Sequence, residues 1–327
     1  MTMMSYIQAV TRALREEMQR DEKVFILGED VGARGGVFRA TEGLYEEFGE
    51  ERVLDTPLAE SAIAGVGIGA AMYGMRPVAE MQFADFIMPA VNQIVSEAAK
   101  IRYRSNNDWS CPITIRAPYG GGVHGALYHS QSVEALFANV PGLKIVMPST
   151  PYDVKGLLKA AIRDEDPVLF FEHKRAYRLI KGEVPEEDYT LPIGKADIKR
   201  EGEDVTVITY GLCVHFALQA AEKLAGEGIS AHILDLRTVY PLDKEAIIEA
   251  ASKTGKVLLI TEANKEGSIM SEVSAIISEN CLFDLDAPVQ RLAGPDVPAM
   301  PYAPTMEKHF MVNPEKVEAA IKDLAEF

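Results

Sequence analysis

Glu60 stands directly before a run of small and apolar residues, Ser61-Ala62-Ile63-Ala64-Gly65-Val66-Gly67-Ile68-Gly69, and behind Asp55-Thr56-Pro57-Leu58-Ala59. Pro57 biases its neighbours away from helix but is tolerated just ahead of one, so a helix is predicted to begin near Glu60. Gly65 and Gly69 would share a face on which another helix can approach closely, although glycines weaken the helix itself. A carboxylate at the mouth of such a buried helix is desolvated, and unless paired it moves toward the range that acid–base chemistry uses. The plainer alternative is a glutamate placed for the helix dipole, and the residues alone leave both readings open. Two further candidates are Glu29 and Asp30, behind the apolar run Val24-Phe25-Ile26-Leu27-Gly28. They would lie at the carboxyl end of a strand, where open α/β sheets place ligands, or else in a solvated loop. His124 and His129 share a glycine-containing loop, and no His or Cys spacing in the chain matches a zinc site.

The elements that must position these residues alternate regularly. Ser5-Tyr6-Ile7-Gln8 reads as a capping box before a helix with Ile7, Val10, Leu14 and Met18 on one face. Strands are predicted at 24–27, 76–81, 112–116, 144–147 and 168–171, with a helix from Asn92 to Arg104 and another starting at Thr150-Pro151. Gln82 and Phe86, four apart after the second strand, would share a face on a helical turn. Gly32-Ala33-Arg34-Gly35-Gly36 predicts a flexible loop without the Gly-Lys-Ser/Thr ending of a phosphate loop. A second alternation runs from Val205 through strands at 231–234 and 256–260 to a terminal helix behind Asn313-Pro314. The stretch holding Pro295, Pro298, Pro301 and Pro304 is predicted to be an extended connection. Strands rich in Val, Ile and Leu between helices mean mostly parallel sheets covered on both faces. The fold class is therefore α/β with two doubly wound domains, at 1–180 and 196–327, joined by a charged, proline-broken linker at 181–195. The second domain carries no evident acid–base cluster, and its expected role is structural and associative.

Composition narrows the function. A chain of 327 residues can build two ordinary domains. Its net charge of -16, with no run of Lys or Arg, excludes a nucleic-acid groove. No apolar run approaches the roughly 20 residues that span a bilayer. Cys111, Cys213 and Cys281 are scattered and odd in number, as in a reduced intracellular protein. The N-terminal residues follow a charged helical pattern and not that of a secretion signal. The expected location is cytoplasmic, or the mitochondrial matrix for a processed chain.

Three segments then carry a resemblance: Asp55-Thr56-Pro57-Leu58-Ala59-Glu60, Ala79-Glu80-Met81-Gln82-Phe83-Ala84-Asp85-Phe86, and Gly125-Ala126-Leu127-Tyr128-His129-Ser130-Gln131-Ser132. In this order and spacing they resemble the β subunits of 2-oxo acid dehydrogenase decarboxylases, from Tyr6 almost to the C-terminus. The Leu127-Tyr128-His129 loop is more similar to branched-chain members than to pyruvate members. The resemblance implies a transketolase-like pyrimidine-binding domain followed by a transketolase C-terminal-like domain. It implies oxidative decarboxylation of 2-oxo acids with acyl transfer to a lipoyl group. A pyruvate or acetoin enzyme is the alternative within the class, and a non-catalytic scaffold subunit is the alternative outside it.

By the same resemblance the cofactor is thiamine diphosphate. Glu60 would place a carboxyl on N1′ of its aminopyrimidine and so promote loss of the thiazolium C2 proton. Phe86 would lie against that ring, where relatives often have tyrosine, with Leu58 and Gln82 in the same pocket wall. His129 matches the active-site histidine suited to proton transfer at the acyl-transfer step, with His124 as a structural neighbour. Ile113, Thr114, Ala161, Asp164 and Asp166 match positions that hold a monovalent cation, potassium, with Asp166 replacing an amide of relatives. No Gly-Asp-Gly motif occurs in the chain. The magnesium ion and the diphosphate half of the site would therefore come from an α subunit in an α2β2 heterotetramer, working with a lipoyl acyltransferase core on a 2-oxo acid substrate.

Overall fold

The computed structural model describes residues 1–327, which form two compact units. The first comprises Met1–Tyr119 and Leu136–Ile193, the second Gly120–Ala135 and Gly194–Phe327. The loop that carries His129 thus belongs to the second unit, which a single boundary near 180 does not foresee.

In the first unit, parallel strands lie in the order Lys144–Val146, Val168–His173, Thr114–Tyr119, Arg76–Glu80, Val24–Gly28 and Val53–Asp55. Val24–Gly28, Thr114–Tyr119 and Val168–His173 are buried along their whole length, as a sheet covered on both faces requires. The capping box is present: Ser5 Oγ accepts from the Gln8 N–H, and Gln8 Oε1 accepts from the Ser5 N–H at 2.8 Å. The helix Tyr6–Arg20 buries Val10, Leu14 and Met18 and packs on the helix Pro151–Arg163.

Local structure departs from expectation in four places. The segment expected to be one helix from Asn92 to Arg104 is a π-helical turn at Gln93–Glu97, a 3₁₀ turn at Ala98–Lys100 and a single α turn at Ile101–Arg104. The stretch 181–195 is not a free linker. Lys181–Val184 pairs antiparallel with Thr2–Ser5, and the buried Lys155 donates to the carbonyls of Pro185 and Glu187 at 2.8 and 3.1 Å. In the helix Glu60–Met72 the close approach occurs at Gly67, where a Cβ would sit 2.8 Å from Ile113 Cδ1. A Cβ on Gly69 would meet nothing within 4 Å, and one on Gly65 only Gln93 at 4.0 Å, so that face is open within the chain. Pro304 starts a short helix, Pro304–Phe310, where only extended chain was expected.

The first sheet also encloses an ion cluster. Arg116 is fully buried and donates from Nε and Nη2 to both Glu172 oxygens at 2.7 Å, and from Nη1 to Glu80 at 2.6 Å. Tyr177 Oη donates to Glu172 at 2.5 Å. Burial raises the Glu80 pKa although Arg116 pulls it down. Burial also opposes the Arg116 charge, but Glu172 and Glu80 outweigh it and raise its pKa. A proton held more tightly on Glu80 moves the cluster toward one cation facing one anion, the balance a low-dielectric interior favours.

The second unit contains a five-stranded sheet in the order Gln290–Gly294, Val257–Asn264, Val205–Thr209, Ala231–Asp235 and Asp197–Arg200. Only the last strand runs antiparallel to its neighbour. The helices Leu212–Ala225, Lys244–Thr254, Ile269–Asn280 and Pro314–Ala325 complete it. No helix of the chain is long and apolar enough to cross a membrane.

Candidate active site

At the carboxyl ends of the strands Val24–Gly28 and Arg76–Glu80, the first unit gathers a group of acids and rings. Gly28 is pinched there, since a Cβ would lie 2.7 Å from the Glu80 carbonyl oxygen. Its own carbonyl accepts from the Thr56 N–H at 2.9 Å, and Asp55 accepts from the Gly32 N–H at 2.7 Å, which straps the Asp55–Glu60 segment to the glycine loop. Glu60 is the first residue of its helix, behind Ala59, which supplies no side-chain cap. Its residue is only 8 % exposed, and its carboxylate makes no hydrogen bond or ion pair within the chain. Glu29 is buried as well, and its pKa is raised first by burial and then by the charges of Glu60 and Asp30. The loop reading of Glu29 therefore gives way to a place among the clustered acids.

Gln82 does not share a helical turn with Phe86, because the 3₁₀ helix begins only at Ala84. Its amide instead reaches back to Asp30 Oδ2 at 3.3 Å. Phe86 packs edge-on against Phe83 at 5.5 Å between ring centres, and Phe83 meets Phe38 at 5.4 Å. Leu58 is 77 % exposed. An unpartnered, nearly buried carboxylate beside aromatic rings and an uncovered leucine fits a flat ring with a protonated nitrogen. The aminopyrimidine of thiamine diphosphate is a ring of that kind, and Glu60, Phe86, Leu58 and Gln82 are the residues the resemblance matches to it.

His129 lies just after the 3₁₀ turn Ala126–Tyr128 in the second unit. The loop before it is bound by carboxylates from the same unit. Glu262 Oε1 accepts from the Gly121 N–H at 2.6 Å. Glu307 Oε1 accepts from the N–H groups of Gly122 and His124 at 3.1 and 3.2 Å, and its Oε2 lies 2.5 Å from His124 Nδ1. Sequence reasoning missed both glutamates. The available signal was Pro304 with Glu307 three residues on, a helix start inside a stretch dismissed for its prolines.

The positions matched to a monovalent cation do lie on adjoining elements. Thr114 pairs with Val168, the Ile113 carbonyl accepts from the Val168 N–H, and the Asp164 N–H donates to the Ala161 carbonyl. The two carboxylates among them, however, pair with the protein's own cations. Lys144 Nζ lies 2.7 Å from each Asp164 carboxylate oxygen, and Arg102 Nε lies 2.5 Å from Asp166. Arg76 Nη1 donates to the carbonyls of Ile162 and Asp164 at 3.1 and 3.0 Å. Protein ammonium and guanidinium groups thus face the two acids, and no step is assigned to a monovalent cation.

Comparison with known proteins identifies the family. The family described as transketolase, pyrimidine binding domain, matches residues 2–180, and transketolase, C-terminal domain, matches residues 194–317. The chain is 84 % identical over 327 residues to 2-oxoisovalerate dehydrogenase subunit beta of Bacillus subtilis (strain 168), covering 100 % of both chains. It is 53 % identical over 296 residues to the pyruvate dehydrogenase E1 component subunit beta of the same organism, covering 90 % of this chain and 91 % of that one. Among solved structures, a split gene transketolase, an inactive beta4 tetramer, superposes with a TM-score of 0.81 at 25 % identity, covering 99 % and 98 % of the two chains. The chain belongs to the β subunits of the 2-oxo acid dehydrogenases, a thiamine-diphosphate-dependent family built from transketolase-type pyrimidine-binding and C-terminal domains.

Proposed function

We propose that this chain is the β subunit of a branched-chain 2-oxo acid dehydrogenase. It would work with an α subunit in an α2β2 heterotetramer that oxidatively decarboxylates 3-methyl-2-oxobutanoate and its analogues and passes the acyl group to a lipoyl acyltransferase core. The α chain holds magnesium and the diphosphate, and the assembly works in the cytoplasm. The observation that carries this reading is the buried, unpartnered Glu60 carboxylate in a chain so similar to a 2-oxoisovalerate enzyme subunit.

When bound, thiamine diphosphate would supply the nucleophilic carbon that decarboxylation of a 2-oxo acid needs. Glu60 would hold a proton at N1′ of the aminopyrimidine, and its low solvent exposure would keep water from competing for that proton. Phe86 and Leu58 would give the ring apolar contact, and Gln82, tied to Asp30 at 3.3 Å, would border it. His129 delivers a proton to the departing dithiolane sulfur during acyl transfer. His129→Ala therefore keeps a measurable rate with an artificial electron acceptor while losing far more of the lipoyl-dependent rate. Equal losses in the two assays would reduce His129 to ordinary positioning.

Substrate choice is tested in the complete complex. The 2-oxo acids derived from valine, leucine and isoleucine should exceed pyruvate in kcat/KM. One or two methylenes in an apolar pocket supply only about 1–3 kcal/mol, so pyruvate remains a measurable substrate. Pyruvate as the best substrate would move the chain to the pyruvate dehydrogenase group and leave the enzyme class intact.

A further inference from the structure

We propose that Glu307, in the C-terminal unit, is a positioning residue for acyl transfer: it holds the loop that presents His129. This rests on the proposed role of His129. The loop needs such a hold because its backbone is costly on its own. His124 and Ala126 have φ of 56° and 53°, left-handed values that non-glycine residues avoid unless their surroundings impose them. Gly125 is packed so tightly against the returning chain that a Cβ there would lie 2.7 Å from both His129 Cβ and the His129 carbonyl oxygen. The geometry of residues 124–126 therefore sets the place of His129.

At the left-handed turn the loop is bound by one carboxylate, Glu307. Glu307 is 3 % exposed, yet it faces no lysine or arginine. Its negative charge is satisfied by the loop, through the N–H groups of Gly122 and His124 on Oε1 and the His124 ring on Oε2. Backbone N–H groups turned inward by a left-handed residue form a concavity for an anion, and here the protein supplies its own. The short helix Pro304–Phe310 that carries Glu307 is itself anchored beside the loop. Met300, Phe310 and Met311 form a buried cluster, and Met300 fills the space over Gly121, where a Cβ would come within 2.4 Å of it. Glu262 fixes the loop's entry by accepting from the Gly121 N–H at 2.6 Å. Tyr210 donates to Glu134 at 2.7 Å and so fixes its exit. Between these two anchors Glu307 binds the left-handed turn at the Gly122 and His124 N–H groups.

The test compares Glu307→Ala, Glu307→Gln and His129→Ala in the complete complex with the α partner and cofactor. Rates are measured with an artificial electron acceptor and with lipoylated acceptor, and amide hydrogen exchange is followed across 120–130. For Glu307→Ala we expect faster exchange at Gly122 and His124. The lipoyl-dependent kcat should fall on the order of tenfold, part of the roughly 10²-fold that a 1 Å misplacement can cost. The acceptor-linked rate and the KM for the 2-oxo acid should change much less. Glu307→Gln retains an acceptor oxygen for the two N–H groups and should recover most of the exchange protection and of the lipoyl-dependent rate. Unchanged exchange in Glu307→Ala, or faster exchange with an unaltered lipoyl-dependent rate, would overturn the proposal. His129→Ala distinguishes the two claims: if it lowers both rates alike, the reading of His129 fails whatever Glu307 does.

Discussion

Glu60→Gln folds and assembles with the α partner yet loses decarboxylation by about 10²-fold or more, the scale of a positioned acid–base group. The amide has the size of the acid and fits the same nearly buried space, so stability hardly changes. It cannot give a proton to the pyrimidine nitrogen and take it back, and that cycle is the only chemistry assigned to the residue. The expectation discriminates between the two readings left open by the sequence. Glu60 is the first residue of its helix, so a dipole contribution is present in either case. A charge at such a largely buried helix end is worth up to about 2 kcal/mol, and its loss would lower stability and leave turnover near normal. Steady-state rates of the assembled variant, with cofactor saturation verified, separate these outcomes.

The second large effect is on stability. Arg116→Met should lower the unfolding free energy by about 3–5 kcal/mol, because it leaves two carboxylates buried without their cation. Glu172 loses the guanidinium bonds to both oxygens and keeps only the Tyr177 hydroxyl, and Glu80 loses its bond of 2.6 Å. The deficit depends on pH with a definite sign. Burial already raises the Glu80 pKa, and removal of Arg116 raises it further, so the folded state of the variant binds protons more tightly than the unfolded chain. Its stability therefore falls as pH rises through that raised pKa and recovers on acidification. Urea denaturation at several pH values measures this, and a deficit below about 1 kcal/mol that ignores pH would show that water enters the cluster.

Much of this architecture was legible because it is local. The capping box at Ser5, the alternation of apolar strands with helices, and a helix beginning at Glu60 depend on residues close in sequence. What remained hidden depends on distant pairings. Lys181–Val184 has the charge of a linker and becomes a strand only because Thr2–Ser5 lies beside it. Asn92–Arg104 has helical composition but is divided into π, 3₁₀ and α turns, which composition does not reveal. Gly65 and Gly69 have the spacing of a contact face, yet Gly67 makes the close contact, since the sheet residue Ile113 reaches that side. The burial of Glu60 at a helix start was visible from its flanking residues. The carboxylates of Glu262 and Glu307 were not, because the backbone they bind lies 141 and 185 residues away.

The most direct test of the shared-site account is a calorimetric titration of thiamine diphosphate with magnesium, on the chain alone and on the chain assembled with its α partner. The account predicts little binding to the lone chain, which carries the pyrimidine side of the site, and saturable binding once the α chain is present. Micromolar binding by the lone chain would contradict it.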